Sequence, residues 1–116
     1  MAPTDRPSDL VPGTLDMLIL KTLALEPMHG HGIGIRIEQI SVGVFQVNAG
    51  SLFPAFRRLE RSGLIKGEWN ATENNRRAKY YSLTAQGRAT LKRETRDWEV
   101  QAAAIAKILR ALPGEV

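Results

Sequence analysis

Three segments with helical periods of apolar residues occupy the first half of the chain. Residues 15–25 are apolar on nearly every side of a helical wheel, which predicts a helix that begins near Thr14, its expected N-cap, and is buried on most faces. Two later segments repeat apolar residues at spacings of three and four, so each predicts an amphipathic helix with one buried stripe. These stripes are Ile33, Ile37 and Ile40 in the second helix, and Leu52, Phe56 and Leu59 in the third.

The period then changes from helical to alternating, which is typical of β-strands. Residues 64–69 and 78–83 predict two antiparallel strands, and the polar, asparagine-rich residues 70–77 predict the turn that joins them. Alternation along the second strand places Tyr81 and Leu83 on the side that faces the core. The third helix and this hairpin together have the order helix, strand, turn, strand.

That order is typical of a winged helix-turn-helix, so the predicted fold is mainly α, of the α+β class. The short β-prone residues 44–47 predict a further small strand that pairs with the hairpin, or wing. We expect the winged domain to span residues 12–84. The preceding residues 1–11 contain two prolines and mixed charges without a period, which predicts a flexible arm.

The last predicted helix, residues 85–112, carries a narrow apolar stripe with charged residues on its other faces. We expect Thr84 to cap it and residues 113–116 to form a tail. A stripe at alternating spacings of four and three is a heptad seam, which favours pairing with a second copy of the chain. If the third helix of each copy enters the major groove of DNA, a two-fold pair would set these two helices about 34 Å apart. Such a pair would require a near-palindromic DNA site. The seam residues are Leu91, Thr95, Trp98, Ala102, Ile105, Leu109 and Leu112.

The positive charge of the chain is concentrated in one segment. The sequence has 16 basic and 12 acidic residues, for a net charge of +4. Residues 57–79 contain seven of the basic and three of the acidic residues, so this segment accounts for the whole excess. Localised charge on the third helix and the wing indicates a nucleic-acid interface rather than a generally basic protein. Its candidate contacts are Arg57, Arg58 and Arg61 on the helix, and Arg76, Arg77 and Lys79 on the wing.

Composition argues against several other classes of function. The chain has no cysteine, which excludes disulfides and thiolate chemistry, and no apolar run long enough for a membrane span, so we expect a cytoplasmic protein. No phosphate-binding glycine loop or nucleophile-elbow motif is present, and we expect neither an enzyme nor a cofactor. The two histidines, His29 and His31, share one glycine-rich segment without a carboxylate cluster, which favours a role in a turn over a metal site.

Several segments together resemble the PadR-like transcriptional regulators, and the resemblance extends from Leu10 to about Leu109. The combination is specific, although each segment alone is common. The single short C-terminal helix resembles the smaller of the two subgroups in that family. The segments are residues 12–16 and 18–20 for the first helix, 28–33 before the second helix, 50–60 for the recognition helix, and 77–87 for the wing strand and the start of the dimer helix.

The resemblance implies a homodimeric regulator, usually a repressor, that a small aromatic or amphipathic compound releases from DNA. It places five residues at the major groove and Arg76, Arg77 and Lys79 against the flanking backbone or minor groove. Phe53 and His31 depart from the family pattern, because each stands where tyrosine is usual. The loss of a hydroxyl at Phe53 puts the base preference in question. The five groove residues are Ser51, Phe53, Pro54, Arg57 and Arg58.

Three residues have two open interpretations each. Phe53 suits either the core or the DNA face, and Asn48 suits an N-cap better than a base contact. Trp98 suits either dimer packing or one wall of an effector site, where Ala102 would leave room for a flat guest. Ile105 and Leu109 continue the same surface. The alternative function for the whole chain is a winged-helix adaptor whose basic face binds an acidic protein.

Overall fold

A computed structural model describes residues 13–114, and it confirms a mainly helical fold with a small antiparallel sheet. The three strands, β1 Met28–His29, β2 Ile65–Ala71 and β3 Arg77–Leu83, have the spatial order β1-β3-β2, so the second wing strand is central. The predicted arm, residues 1–11, lies outside the described residues, as do residues 115 and 116 of the predicted tail. The elements are α1 Thr14–Leu25, β1 Met28–His29, α2 Gly30–Ile40, α3 Ala49–Arg61, β2 Ile65–Ala71, β3 Arg77–Leu83 and α4 Ala85–Arg110.

The core forms where α1, α2 and α3 meet the sheet. Phe56 is fully buried at its centre, and its ring centroid lies 4.7 Å from that of Tyr81 on β3. Burial of Leu52, Phe56 and Leu59 confirms the predicted stripe of α3, and burial of Tyr81 confirms the alternation predicted for the wing. Burying these side chains leaves the opposite face of α3 in solvent. The buried apolar residues are Ile19, Leu20, Leu23, Ile33, Ile37, Leu52, Ala55, Phe56, Leu59, Ile65 and Tyr81.

Side chains cap α2, α3 and α4, and His29 is the cap of α2. The Asn48 Oδ1 accepts a hydrogen bond from the Ser51 N–H at 3.0 Å, and the Thr84 Oγ1 accepts one from the Gly87 N–H at 2.9 Å, as predicted for both residues. The expected cap of α1 was wrong, because Gly13 occupies the N-cap position with φ 88° and Thr14 is the first helical residue.

The small additional strand was predicted in the wrong place. Residues 44–47 form no strand, and the backbone N–H groups of Val44 and Phe45 instead donate to Ser41 at the end of α2. The side chains of Phe45 and Val47 pack against the core, so their apolar character reflects loop packing. The strand that pairs with the wing is β1, where Met28 lies opposite Tyr81.

Two apolar positions lie outside the packing predicted for them. Ile40 is the last residue of α2 and is 56% exposed, because the core reaches only as far as Ile37. The final helix ends at Arg110, before Leu112 of the predicted seam. Leu112 precedes Pro113, and a residue before proline avoids helical backbone angles, which accounts for the earlier end.

Candidate nucleic-acid interface

The outward face of α3 presents two arginines without a carboxylate partner among the described residues, Arg57 and Arg61. The third predicted contact, Arg58, is also exposed, but its Nη2 lies 2.7 Å from the Asp16 Oδ1 of α1. This ion pair ties α3 to the start of α1. Ser51 is exposed near the start of the helix, and Pro54 is half-buried within it.

Phe53 lies between its two predicted environments. Its ring meets the Phe56 ring edge-on at a centroid distance of 5.4 Å, and 43% of the residue is exposed. The edge contact holds the ring against the core while the remaining surface is open on the same helix as Arg57. Phe53 is therefore an apolar, partly anchored element of the exposed helix face.

The wing carries Arg76 at its turn and Arg77 at the start of β3. The turn is closed by hydrogen bonds between the Thr72 N–H and the Arg76 carbonyl at 2.6 Å and between the Asn75 N–H and the Thr72 carbonyl at 2.9 Å. Asn75 adopts a left-handed φ of 59°, which asparagine tolerates better than most residues. Both arginines are exposed beyond the last buried residues of the sheet.

Trp69 is a surface residue of the wing that sequence reasoning missed as part of the site. It lies opposite Lys79 in the β2–β3 register, and the Arg77 guanidinium carbon is 5.4 Å from its ring centroid. Trp69 is 58% exposed, and its ring holds the Arg77 guanidinium by a cation–π interaction. The available signal was an aromatic residue diagonally across a hairpin from an arginine.

Lys79 is held rather than free. Its Nζ lies 2.9 Å from the Glu60 Oε1 of α3 and 5.6 Å from the centroid of the Tyr81 ring. The hydrogen bond that the Lys79 ammonium donates to Glu60 raises the pKa of Lys79 above its ordinary 10.5, against the opposing effect of burial. Burial raises the pKa of the Tyr81 hydroxyl above its ordinary 10.0, against the opposing effect of the Lys79 ammonium.

These shifts predict a loss of stability at alkaline pH. Both groups hold their protons more tightly when folded, so their contribution is complete below the ordinary pKa values and is lost as the pH rises through the raised ones. We expect the free energy of unfolding in urea to begin falling at about pH 9 and to continue falling through the raised pKa values of the two groups. Glu60→Gln should make this fall shallower, because it removes the main cause of the Lys79 shift. An equal fall in both proteins would contradict the assignment.

The ion pairs divide the basic residues of the segment 57–79 into two groups. Arg58, Lys66 and Lys79 have carboxylate partners in Asp16, Glu68 and Glu60. The other four have none within the part of the chain that the structure describes. Free arginines keep all their guanidinium donors available for phosphates or base edges. These four are Arg57, Arg61, Arg76 and Arg77.

The first half of α4 packs on α1, and a groove of about 700 Å³ opens between the two helices. Trp98 lines this groove together with Met17, Leu18 and Leu91, and basic side chains rim it. The other predicted members of the site lie further along α4. Ala102 is half-buried, whereas Ile105 and Leu109 are 50% and 79% exposed.

His29 lies in the glycine-rich segment for which a turn role was predicted. It is the last residue of β1 and the N-cap of α2. Its Nδ1 accepts a hydrogen bond from the Gly32 N–H at 3.0 Å, and its ring meets the Tyr80 ring edge-on at 5.6 Å. His31 is exposed on α2. Residues 13–114 contain no cluster of three or more metal-ligating side chains. Within the same described range, no helix has the length and apolar character needed to cross a membrane.

Comparison with known proteins shows the family to which this fold belongs. The profile of the transcriptional regulator PadR-like family matches residues 19–93. A transcriptional regulator from Clostridium thermocellum is 29% identical, with a TM-score of 0.79 over 89% of this chain and 100% of its own. A PadR family regulator from Eggerthella lenta is 31% identical, with a TM-score of 0.74 over 86% of this chain and 85% of its own. An uncharacterised protein from Lysinibacillus sphaericus is 29% identical over 91 residues, which are 78% of this chain and 84% of that protein. The chain belongs to the PadR-like family of DNA-binding transcriptional regulators.

Proposed function

We propose that the protein is a homodimeric repressor that binds a near-palindromic duplex site and is released by a small aromatic or amphipathic compound. Residues 12–84 would bind DNA and residues 85–112 would join the two chains. The observation that carries the proposal is the set of exposed arginines without carboxylate partners on α3 and the wing of the described chain. Guanidinium groups on a helix and a neighbouring hairpin suit a duplex, which offers base edges in the groove and phosphates beside it.

The two surfaces would divide the work of binding. Arg57 and Arg61 are exposed on α3 and would enter the major groove, with Ser51, Phe53 and Pro54 beside them. Arg76 and Arg77 would contact the backbone or the minor groove from the wing. The side chains of Arg58 and Lys79 are held by carboxylates, so direct contact with DNA would require each to exchange its partner.

The exposed second half of α4 supports the homodimer. Large apolar side chains on a helix that extends beyond its own domain favour burial against another chain. The protein has principal extents of 63 × 35 × 21 Å, so this helix makes it elongated. Pairing of two such helices would bury the seam and place Trp98 near the two-fold axis. The exposed apolar residues that this half of the helix would bring to the pairing are Ile105, Ile108 and Leu109.

The groove between α1 and α4 supports the proposal that a small-molecule effector binds the protein. Its lining includes Trp98, Leu91 and Met17, and an indole face with aliphatic neighbours suits a flat aromatic or amphipathic guest. Because α4 would also form the dimer, a guest in this groove would touch the element that sets the spacing of the two recognition helices. Release from DNA would follow from a change in that spacing.

The decisive experiment is selection of a random duplex library by the purified protein at two salt concentrations, with stoichiometry measured on the same complexes. We expect enrichment of a near-palindrome bound by two chains, with a log–log salt slope of about −5 if roughly six phosphates are contacted. Weak binding without enrichment would instead favour the adaptor function, in which the basic face binds an acidic protein.

Single arginine substitutions test whether α3 reads the base sequence while the wing contacts the DNA backbone. Arg77→Ala is expected to weaken binding to all duplexes by a similar factor and to make the salt slope shallower by about 1 per lost contact. Arg57→Ala is expected to change the preference among sites, with a cost of about 1 to 3 kcal/mol at the base pair it reads. Competition binding with the selected site and single-base variants measures both. Uniform effects of the two substitutions on every sequence would contradict the division.

A further inference from the structure

The ion pair between Glu60 and Lys79 joins the recognition helix to the wing. The Glu60 side chain is 28% exposed and that of Lys79 is 31% exposed, so the pair lies half-buried between α3 and β3. The Lys66–Glu68 pair on the same hairpin is longer, at 3.6 Å, and both of its side chains are more than 60% exposed. The Glu60–Lys79 pair is therefore a hydrogen-bonded contact with fixed geometry, whereas the Lys66–Glu68 pair is a loose surface contact.

Gly67 on β2 leaves the space through which Lys79 reaches Glu60. A Cβ at this position would lie 2.5 Å from the Lys79 Cε and 3.1 Å from the Glu60 Oε2. Gly67 is opposite Tyr81 in the register and Lys79 is opposite Trp69, so the lysine side chain leans along the sheet over the glycine. A side chain larger than hydrogen would therefore displace the pair.

The hairpin beyond this pair has little support from the rest of the described chain. Residues 68–71 and 73–77 are exposed, and the described polar contacts of this region lie within the hairpin itself. The direction of the wing relative to α3 is thus set close to the position where Lys79 meets Glu60. Without that contact, the exposed end would be free to swing about its buried base at Tyr81.

We propose that Glu60 is a positioning residue that holds the wing at a fixed angle to the recognition helix through Lys79. The inference rests on the proposed DNA binding. Glu60 fixes the separation between Arg57 and Arg61 on α3 and Arg76 and Arg77 on the wing, so that both sets meet one duplex without a further loss of conformational freedom.

Electrostatics alone predicts the opposite effect of removing Glu60. A carboxylate beside a phosphate backbone repels it, so loss of the negative charge would strengthen DNA binding if Glu60 had no other role. Glu68→Met removes the same charge from the adjacent hairpin without touching the Glu60–Lys79 pair, and it is the matched control.

The probe is the duplex that the wild-type protein enriches most from the random library. We expect Glu60→Met to weaken its binding by about threefold to tenfold, the range of coupling between residues in direct contact. Glu68→Met should leave binding unchanged or slightly tighter. Hydroxyl-radical footprints should show lost protection at the flanks touched by the wing and retained protection at the major-groove positions. Circular dichroism at the assay temperature confirms that each variant is folded.

Two further variants separate positioning from charge. Gly67→Ala keeps every charge and displaces the pair, so it should weaken the same duplex by about threefold and reproduce the flank footprint. The exchange of Glu60→Lys together with Lys79→Glu keeps the net charge and re-forms a pair in the opposite direction. It should recover most of the affinity that Glu60→Met loses.

The results that overturn the proposal differ from those that overturn DNA binding. Tighter binding by Glu60→Met, or equal effects of Glu60→Met and Glu68→Met, would show that Glu60 acts only through its charge. Unchanged binding by Gly67→Ala would show that the position of the pair has no effect. Failure of the wild-type protein to enrich any duplex would overturn the proposed function itself.

Discussion

Replacing Ile105 and Leu109 by glutamate is expected to convert the protein into a folded monomer. The same change should weaken binding to the near-palindromic duplex site by about 100-fold. The two side chains are 50% and 79% exposed within one chain, so their replacement removes little of the core. In a paired helix, the same positions would place four carboxylates against an apolar seam, at a cost of several kcal/mol. A monomer would bind only one half-site and would lose the effective concentration that links the second half-site to the first.

The matched control is Val100→Glu with Ala103→Glu, which adds the same charge to the same helix on its opposite face. Both control residues are exposed, and a turn of 100° per residue directs them away from the seam. Sedimentation and titration of the selected duplex measure the two pairs of variants. A dimer that survives in the Ile105 and Leu109 variant would exclude this seam as the interface.

Gly87→Ala is expected to destabilise the fold by about 3 kcal/mol, at the upper end of the cost of overpacking. Gly87 is buried in the first turn of α4, where a Cβ would overlap the Leu64 carbonyl oxygen and lie 2.7 Å from the Leu83 Cδ1. The obstructing oxygen belongs to the backbone, which also accepts hydrogen bonds from Thr84, so it cannot move without loosening the cap of α4.

Thermal unfolding followed by circular dichroism tests this prediction, with a fall in Tm of roughly 10 to 20 °C expected. Gly32→Ala provides the control, because it makes the same change in a helix where the nearest neighbour is the side chain of His29. The control should be close to neutral, since alanine favours a helix more than glycine does. Equal stability of the two variants would show that α4 does not need its close approach to the wing.

Local signals in the sequence were sufficient to predict the parts of the fold that local physics decides. Asn48 and Thr84 cap helices because each has a short side chain with an oxygen directly before a periodic segment. That oxygen can accept a hydrogen bond from a backbone N–H group of the first helical turn. The wing was predictable because alternation distinguishes Tyr81 from its neighbours. A strand as short as β1 carries no period, so the sequence favours the more β-prone residues 44–47 in its place.

The partners of the basic residues could not be predicted from the sequence. Asp16 is 42 positions from Arg58, and Glu60 is 19 positions from Lys79, so only the packing of α1, α3 and β3 brings them together. A count of charges along the chain therefore indicates a basic surface but cannot tell which guanidinium groups remain unpaired on it. Which basic side chains on that surface form ion pairs, and which do not, is decided by the tertiary structure.

The placement of the two tryptophans gives the protein a pair of built-in optical probes. One is Trp69 at the wing and the other is Trp98 in the groove between α1 and α4, and the chain contains no further tryptophan. Trp98→Phe would leave an emission signal that reports only on the wing, and Trp69→Phe would leave one that reports only on the groove. Fluorescence titrations of these two proteins would distinguish events at the wing from events at the groove without any attached dye.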